Sequence, residues 1–190
     1  MRKLKLQMQI SIDGSPQFGI IDEQKWVTWA WHEIRNEVLE LADSCDTELI
    51  GRKLAVDYIP YWAEALLQPA SPMHEVALIK ARQKKIVFTK TLNSSFWPDV
   101  DLANGELVEE ITKLKKQTGK DIIVYGGTSF VSELIEQGLI DEFYFFVNPV
   151  ALGENGISLF SGMKSFIPLA LKKCIPYPSG IVLLNYELKK

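Results

Sequence analysis

The chain is poor in the residues that build metal centres and covalent frameworks. Its two cysteines, Cys45 and Cys174, lie far apart, with no second thiol or histidine at ligand spacing beside either. That pattern argues against a zinc site and a disulfide framework, and it fits a reducing cytoplasm. Long hydrophobic runs are missing: no stretch reaches the ~20 apolar residues that a membrane-spanning helix requires. The first ten residues alternate basic and apolar side chains and hold no continuous apolar core, so they do not read as a signal peptide. Charge of one sign is missing as well. The 21 Lys+Arg and 24 Asp+Glu leave a net charge of -3, and the basic clusters are short, which disfavours nucleic acid and membrane surfaces as partners. Neither three spaced glycines after the first strand nor a phosphate loop ending in Gly-Lys-Ser/Thr is found, so an ordinary Rossmann or nucleotide-triphosphatase assignment fails.

What remains is the composition of a soluble globular protein: 190 residues, 47% apolar and 24% charged. That is enough for one sizeable core, and a single domain over residues 1–190 is expected. Leu4, Leu6, Met8, Ile10 and Ile12 fall on every second position, the signal of a strand with one apolar face, ending at Asp13-Gly14. Trp26, Ala30, Ile34, Val38 and Leu41 recur at helical steps, with Asp22 placed to cap the start. Thr47–Ile50 reads as a short strand running into Gly51-Arg52, followed by a loop or short helix up to Trp62. Gln68–Met73, with Pro69 and Pro72, reads as a surface loop. Ile86–Thr89 is a strand, and Asn104 is placed to cap a helix carrying Leu107, Val108, Ile111 and Leu114.

Asp121–Tyr125 is apolar without alternation, as expected of a strand covered on both faces. Gly126-Gly127 follows at once, and Thr128 or Ser129 opens a helix that Gly138 closes. Phe143–Val147 gives another strand, and Leu169–Ile175 with Ile181–Leu188 reads as a hairpin. Strands and helices alternate early and strands dominate late. The fold class expected is therefore α/β, with a mostly parallel central sheet, helices on both faces and an antiparallel C-terminal edge.

In open α/β sheets, ligands collect beyond the carboxyl ends of the strands. Four such ends carry unusual residues: Ser11–Gly14, Gly51-Arg52-Lys53, Thr89-Lys90-Thr91 and Gly126-Gly127-Thr128. Glycines let a ligand approach the backbone, and a helix N-terminus offers free N–H groups and a partial positive charge to a phosphate. Fixed cations at Arg52, Lys53 and Lys90 and hydroxyls at Thr89 and Thr91 suit a ligand with several phosphates.

In this order, the strand–Ser-Ile-Asp-Gly, Gly-Arg-Lys, Lys-Ile-Val-Phe-Thr-Lys-Thr-Leu, Asp-Ile-Ile-Val-Tyr-Gly-Gly and Gly-Leu-Ile-Asp-Glu-Phe segments resemble the dihydrofolate reductase superfamily. Within it they most resemble the reductase domain of bacterial riboflavin biosynthesis. Asn148-Pro149, Gly153-x-x-Gly156, Leu159-Phe160 and the closing Ser179-Gly180-Ile181-Val182 segment with Tyr186 extend the resemblance over nearly the whole chain. It implies a three-layer dihydrofolate-reductase-like fold, NADPH as cofactor, no metal, and direct hydride transfer to a small planar heterocycle. That heterocycle is a pterin or a pyrimidine like 5-amino-6-(5-phosphoribosylamino)uracil. The alternatives are dihydrofolate reduction proper and a non-catalytic NADPH-binding module.

By position, the resemblance places Gly126, Gly127 and Thr128 on the pyrophosphate and Gly51 and Arg52 along the phosphates. It sets Thr89, Lys90 and Thr91 toward the ribose and its 2′-phosphate, and Ser11 beside the nicotinamide. Asp13 is the candidate that orients substrate or supplies a proton, and Glu33 is the second carboxylate. Three tryptophans in six positions cannot share one helix face, so Trp26 is read as core and Trp29 as a pocket ring, with Trp62 and Tyr58 closing the far side. Relatives in this branch pair through their late strands, so a homodimer is expected, with part of Phe143–Phe146 offered as its surface and at least half of it as core. Two positions depart from the pattern: Leu54 stands where a threonine is common, and Tyr125 where a glutamate often precedes the Gly-Gly pair.

Overall fold

The computed structural model describes residues 1–19 and 24–189. In chain order its elements are β1 (Leu4–Ser11), α1 (Trp31–Asp43), β2 (Cys45–Gly51), α2 (Arg52–Leu66), α3 (His74–Arg82), β3 (Lys84–Phe88), β4 (Val100–Ala103), α4 (Leu107–Lys116), β5 (Asp121–Val124), α5 (Thr128–Glu136), β6 (Glu142–Asn148), β7 (Leu169–Pro176) and β8 (Val182–Leu188). The strands form an eight-stranded, mostly parallel sheet. The chain divides into two compact units.

The first unit comprises Met1–Lys3 and Ile34–Gly127. Its strands run in the order β4-β3-β2-β5, parallel throughout. Parallel pairing sets every carboxyl end at one edge, so Gly51, the last residue of β2, and Thr89 and Gly126, just beyond β3 and β5, mark strand ends on the same side. Ile122, Ile123 and Val124 of β5 are fully buried, as the unalternating run foretells. Ile50, Ala55, Val87, Trp97 and Val100 form a core cluster. Leu54, Tyr58 and Ile59 of α2 pack against it, which gives Leu54 a structural reason to be apolar.

The second unit comprises Leu4–Glu33 and Thr128–Lys190. Its strand order is β1-β6-β8-β7, with β1 and β6 parallel and the pairs β6–β8 and β8–β7 antiparallel. The expected hairpin of late strands is therefore present. Leu4, Leu6, Met8 and Ile10 are buried, but so are Lys5 and Ser11, so β1 is covered on both faces rather than one. The loop after β1 is zipped to the segment after β6. Ile12 N donates to Val150 O at 2.9 Å, Gly19 N to Asn155 O at 2.8 Å and Ile157 N to Gln17 O at 2.8 Å. Gly156 allows this approach, because a Cβ there would sit 2.6 Å from Ser15 Oγ.

Several local expectations change. Helix α1 begins at Trp31, because Trp29 at φ +49° breaks the helical path before it; Asp22, the expected cap, lies outside the described residues. The stretch after Gly51 is no loop or short helix but the 15-residue α2, which continues through Pro60. Helix α3 and strand β4 are additions. Asn104 does not cap α4: its Nδ2 donates to Leu92 O at 2.9 Å, and the cap position belongs to Glu106. Phe143, Phe145 and Phe146 are buried in the core, as expected for at least half of the aromatic run, and Tyr144 is half-buried.

Candidate functional site

In the first unit, three strand ends meet the expectations drawn for them unequally. Gly51 caps α2 in an extended conformation, with no side chain among the described residues satisfying the helix N-terminus. The first N–H groups of a 15-residue helix are therefore free to meet an anion, and the dipole favours one. Arg52 is the first residue of that helix, and among the described residues its guanidinium has neither hydrogen bond nor ion pair. At the end of β5, neither Gly126 nor Gly127 is among the glycines with positive φ, and a Cβ on Gly127 would meet Leu54 at an ordinary 3.6 Å. The fold does not demand a glycine at 127. Glycine there leaves the backbone of the turn open to close approach.

The end of β3 behaves differently. Thr89 is buried and its Oγ1 accepts the N–H groups of Thr91 and Leu92, each at 3.1 Å, so its oxygen shapes the turn instead of facing a ribose. The exposed Lys90 donates to Gly105 O at 3.0 Å and to Glu106 Oε1 at 3.3 Å. Thr91 is the exposed hydroxyl of the three.

The expected role of Trp62 and Tyr58 as the far wall of a pocket is corrected. Both turn inward, to the ammonium of Lys80: its Nζ lies 4.9 Å from the Trp62 ring centroid and 5.0 Å from that of Tyr58. A buried cation needs a countercharge and faces of negative potential, and Glu48 and these rings supply them.

In the second unit, Ser11 is fully buried. Its Oγ bonds the Asp13 carboxylate and accepts Ser15 N at 3.0 Å, so it builds the turn rather than bordering a ligand. Asp13 accepts the backbone N–H of Leu152 at 3.2 Å and of Gly153 at 2.8 Å. The Ser11 hydroxyl and these two amides hold its carboxyl down at about 2. An exposed carboxylate so held is an acceptor near neutral pH, which leaves orientation, not proton supply, of the two roles expected for it. Glu33 is also held below the ordinary carboxylate range. The Ser179 hydroxyl lies close by, though outside full hydrogen-bond geometry, and the Ser179 N–H donates to Oε2 at 3.1 Å.

Trp29 is 54% exposed and keeps a ring face free to stack. Thr128 Oγ1 donates to Gln17 Oε1 at 2.9 Å, so a residue the sequence pattern did not single out competes for that hydroxyl. Asn148, marked beforehand only as part of the Asn148-Pro149 motif and given no role, accepts Thr28 N at 2.8 Å and donates to Gln9 Oε1 at 2.8 Å, fixing the approach to α1. Its register opposite Ser11, at the finish of two parallel strands, is the signal that points to it.

The family model for the RibD C-terminal domain matches residues 2–183. The chain belongs to that family, that of the riboflavin-biosynthesis reductase domain, and it has the dihydrofolate-reductase-like fold. The particular relatives are these. The uncharacterised Bacillus subtilis (strain 168) protein YyaP is 32% identical over 192 residues, covering 98% of this chain and 95% of its own. A putative riboflavin biosynthesis protein from Shewanella sp. PV-4 superposes with TM-score 0.72 at 18% identity, covering 99% of both chains. The dihydrofolate reductase from Enterococcus faecalis, complexed with NADP(H), superposes with TM-score 0.60 at 13% identity, covering 99% of this chain and 97% of that one.

Proposed function

We propose that this chain is an NADPH-dependent reductase of a small planar heterocycle, a pyrimidine of the 5-amino-6-(5-phosphoribosylamino)uracil type. The observation that carries the reading is the pairing, within one parallel sheet edge, of an uncapped α2 N-terminus bearing the free Arg52 with a Gly126-Gly127 turn whose second glycine the fold does not require. These residues fit a dinucleotide: an anion at the helix start, a cation beside it and open backbone amides at the glycine turn. Gly51 and Arg52 would hold the phosphates, Gly126 and Gly127 the pyrophosphate, and Lys90 with Thr91 the 2′-phosphate. When bound, the nicotinamide supplies the hydride.

The chain's own part is to bind, orient and exclude. Asp13 and Glu33 stay ionised and accept hydrogen bonds, so they hold the N–H and O–H groups of a heterocycle in one orientation. The exposed Trp29 ring offers a stacking face. Since both carboxylates are held as anions, the proton that completes the reduction comes from solvent. The family membership supports the pyrimidine over a folate. The expected homodimer through the late strands draws support from β7, which ends the strand order with Leu171 54% exposed; sedimentation at micromolar concentration tests it.

Thermal unfolding with NADPH is the direct test. At ~100 times its dissociation constant the cofactor stabilises the fold by roughly 2.7 kcal/mol, which raises Tm by several degrees. An unchanged Tm at millimolar NADPH refutes the reading. Cofactor binding without turnover of any pyrimidine or pterin substrate would instead identify a non-catalytic NADPH-binding module.

A further inference from the structure

Strand β2 is buried along its length and yet carries a charge. Glu48 is fully buried, and its Oε1 lies 2.6 Å from the Nζ of Lys80, whose side chain is 2% exposed. Tyr58 donates its hydroxyl to the same carboxylate oxygen and accepts from Lys80. Burial and the Glu48 charge push the Tyr58 hydroxyl well above its ordinary value, so it remains a donor. The third direction of the ammonium is closed by an aromatic face: Nζ stands 3.3 Å from the centroid of the Tyr125 ring. Glu48, Lys80, Tyr58 and Tyr125 come from β2, α3, α2 and the residue that follows β5, all within the first unit.

Stability alone does not account for such an arrangement, because a buried ion pair exchanged for apolar residues of similar volume is often neutral or stabilising. Its position does. Tyr125 is the last side chain before Gly126-Gly127, and two glycines in succession give the backbone its widest freedom where binding needs a fixed set of amides. Strand β5 ends at Val124, and Glu48 on the neighbouring strand is in register with Ile123. The ammonium therefore ties the residue beyond the end of β5 to β2 and α3. The Tyr125 hydroxyl is buried and has no hydrogen-bond partner among the described residues, so the hold is on the ring face.

We infer that the Glu48–Lys80 pair is a positioning device: it clamps the ring of Tyr125 and thereby fixes the Gly126-Gly127 turn in the conformation that receives the cofactor's phosphates. The phosphate part of this inference rests on the proposed reductase function. The clamp itself does not.

The test uses the full-length chain, with Tyr125→Phe and Tyr125→Leu, which leave the ion pair in place, and Glu48→Leu/Lys80→Met, which removes it. The readouts are the backbone 15N order parameters of Gly126 and Gly127, the urea unfolding midpoint and the NADPH dissociation constant. In wild type and Tyr125→Phe, both glycine amides are expected near the rigid value of about 0.85; in Tyr125→Leu and the double variant they fall below about 0.6. The NADPH dissociation constant is expected to rise roughly tenfold in the latter two and to stay unchanged in Tyr125→Phe.

Glycine order parameters in Tyr125→Leu that equal those of wild type overturn the clamp, whether or not the double variant folds. A loss of order that appears equally in Ile86 and Val87 of β3 also overturns it, since that would be general loosening. If wild type fails to bind NADPH while the glycines loosen as stated, the reductase reading falls and the clamp stands. If wild type and Tyr125→Leu bind NADPH alike, the turn is not what the clamp serves, and the inference falls while the reductase reading stands.

Discussion

The Asp13 carboxylate accepts the backbone N–H of Gly153 at 2.8 Å, joining residues 140 positions apart. With Leu152 N and the Ser11 hydroxyl on the same carboxylate, it pins the loop after β1 to the 3-10 turn Gly153–Asn155.

The first prediction follows from the sign of that interaction. The folded-state pKa of Asp13, about 2, lies below the ordinary 3.8, so on acidification the unfolded chain takes up the proton first. The stabilisation is therefore complete above the ordinary value and is lost as pH falls through about 2. Between pH 4 and 2, the urea midpoint of wild type should fall more steeply than that of Asp13→Ala. Parallel slopes would show that the carboxylate does not hold the loop.

Lys80 gives the opposite end of the pH scale. Burial pulls it from 10.5 to about 8, against the opposing pull of Glu48. Between those values the unfolded chain binds a proton that the native chain does not, so stability rises with pH from about 8 to 10.5. Glu48→Leu/Lys80→Met should flatten this rise in denaturant unfolding measured at pH 8, 9 and 10. Lys80→Met alone strands a buried carboxylate and should cost about 3–5 kcal/mol at neutral pH. A loss under 1 kcal/mol would mean that Glu48 is not sealed from water.

Much of this architecture could be read along the chain, and what could not has physical causes. The strands β1, β5 and β8 announce themselves because alternation, or an apolar run bounded by Gly and Pro, belongs to few other structures. Helix α2 hides: only Ala55 and Ala65 are fully buried, and Pro60 interrupts the pattern. Helix α3 hides because one of its three buried residues is Lys80, so its inner face is not an apolar stripe. Strand β4, four residues long, is too short to show a period.

The same holds for the site. The glycine and arginine positions could be marked as candidates along the chain because helix starts and glycine turns are able to bind anions through the backbone. The interior of the Lys80 cage could not, since its members come from separate elements: Tyr58 and Trp62 read as a pocket wall, Tyr125 as a departure from the family pattern, and Lys80 carried no signal of its own. One local sign existed: Glu48 in the otherwise buried β2, a charge that demands a partner.

Arg52 and Lys90 separate cofactor recognition from stability. Arg52 has no partner among the described residues, and Lys90 has an exposed pair with Glu106 and an exposed hydrogen bond to Gly105 O, contacts of a kind worth little. Neither Arg52→Ala nor Lys90→Ala should move Tm by more than about a degree. A lost charge-assisted contact to phosphate is worth roughly 1.5–3 kcal/mol, so each should weaken NADPH binding about ten- to a hundredfold. Lys90→Ala should leave NADH affinity nearly unchanged, because only NADPH carries the 2′-phosphate. Equal losses for both cofactors, by isothermal titration, would remove Lys90 from that role.

Gly127→Ala asks most directly whether the turn after β5 exists for a ligand. Its φ is not positive and the nearest side-chain atom to an added Cβ is Leu54 Cβ at 3.6 Å, so the methyl group meets no strain in the empty fold. Replacing a glycine whose conformation alanine accepts stabilises by roughly 0.4–1 kcal/mol, because the unfolded chain loses freedom. Tm should therefore stay level or rise slightly. In the proposed site the same methyl stands where a phosphate would approach the backbone, so NADPH affinity should drop by at least about tenfold, a free-energy loss near 1.4 kcal/mol. A variant that is more stable and yet binds the cofactor less tightly shows that ligand contact, not folding, requires glycine at this position. A variant that binds NADPH as wild type does would place the phosphates elsewhere and leave Arg52 without its proposed neighbour.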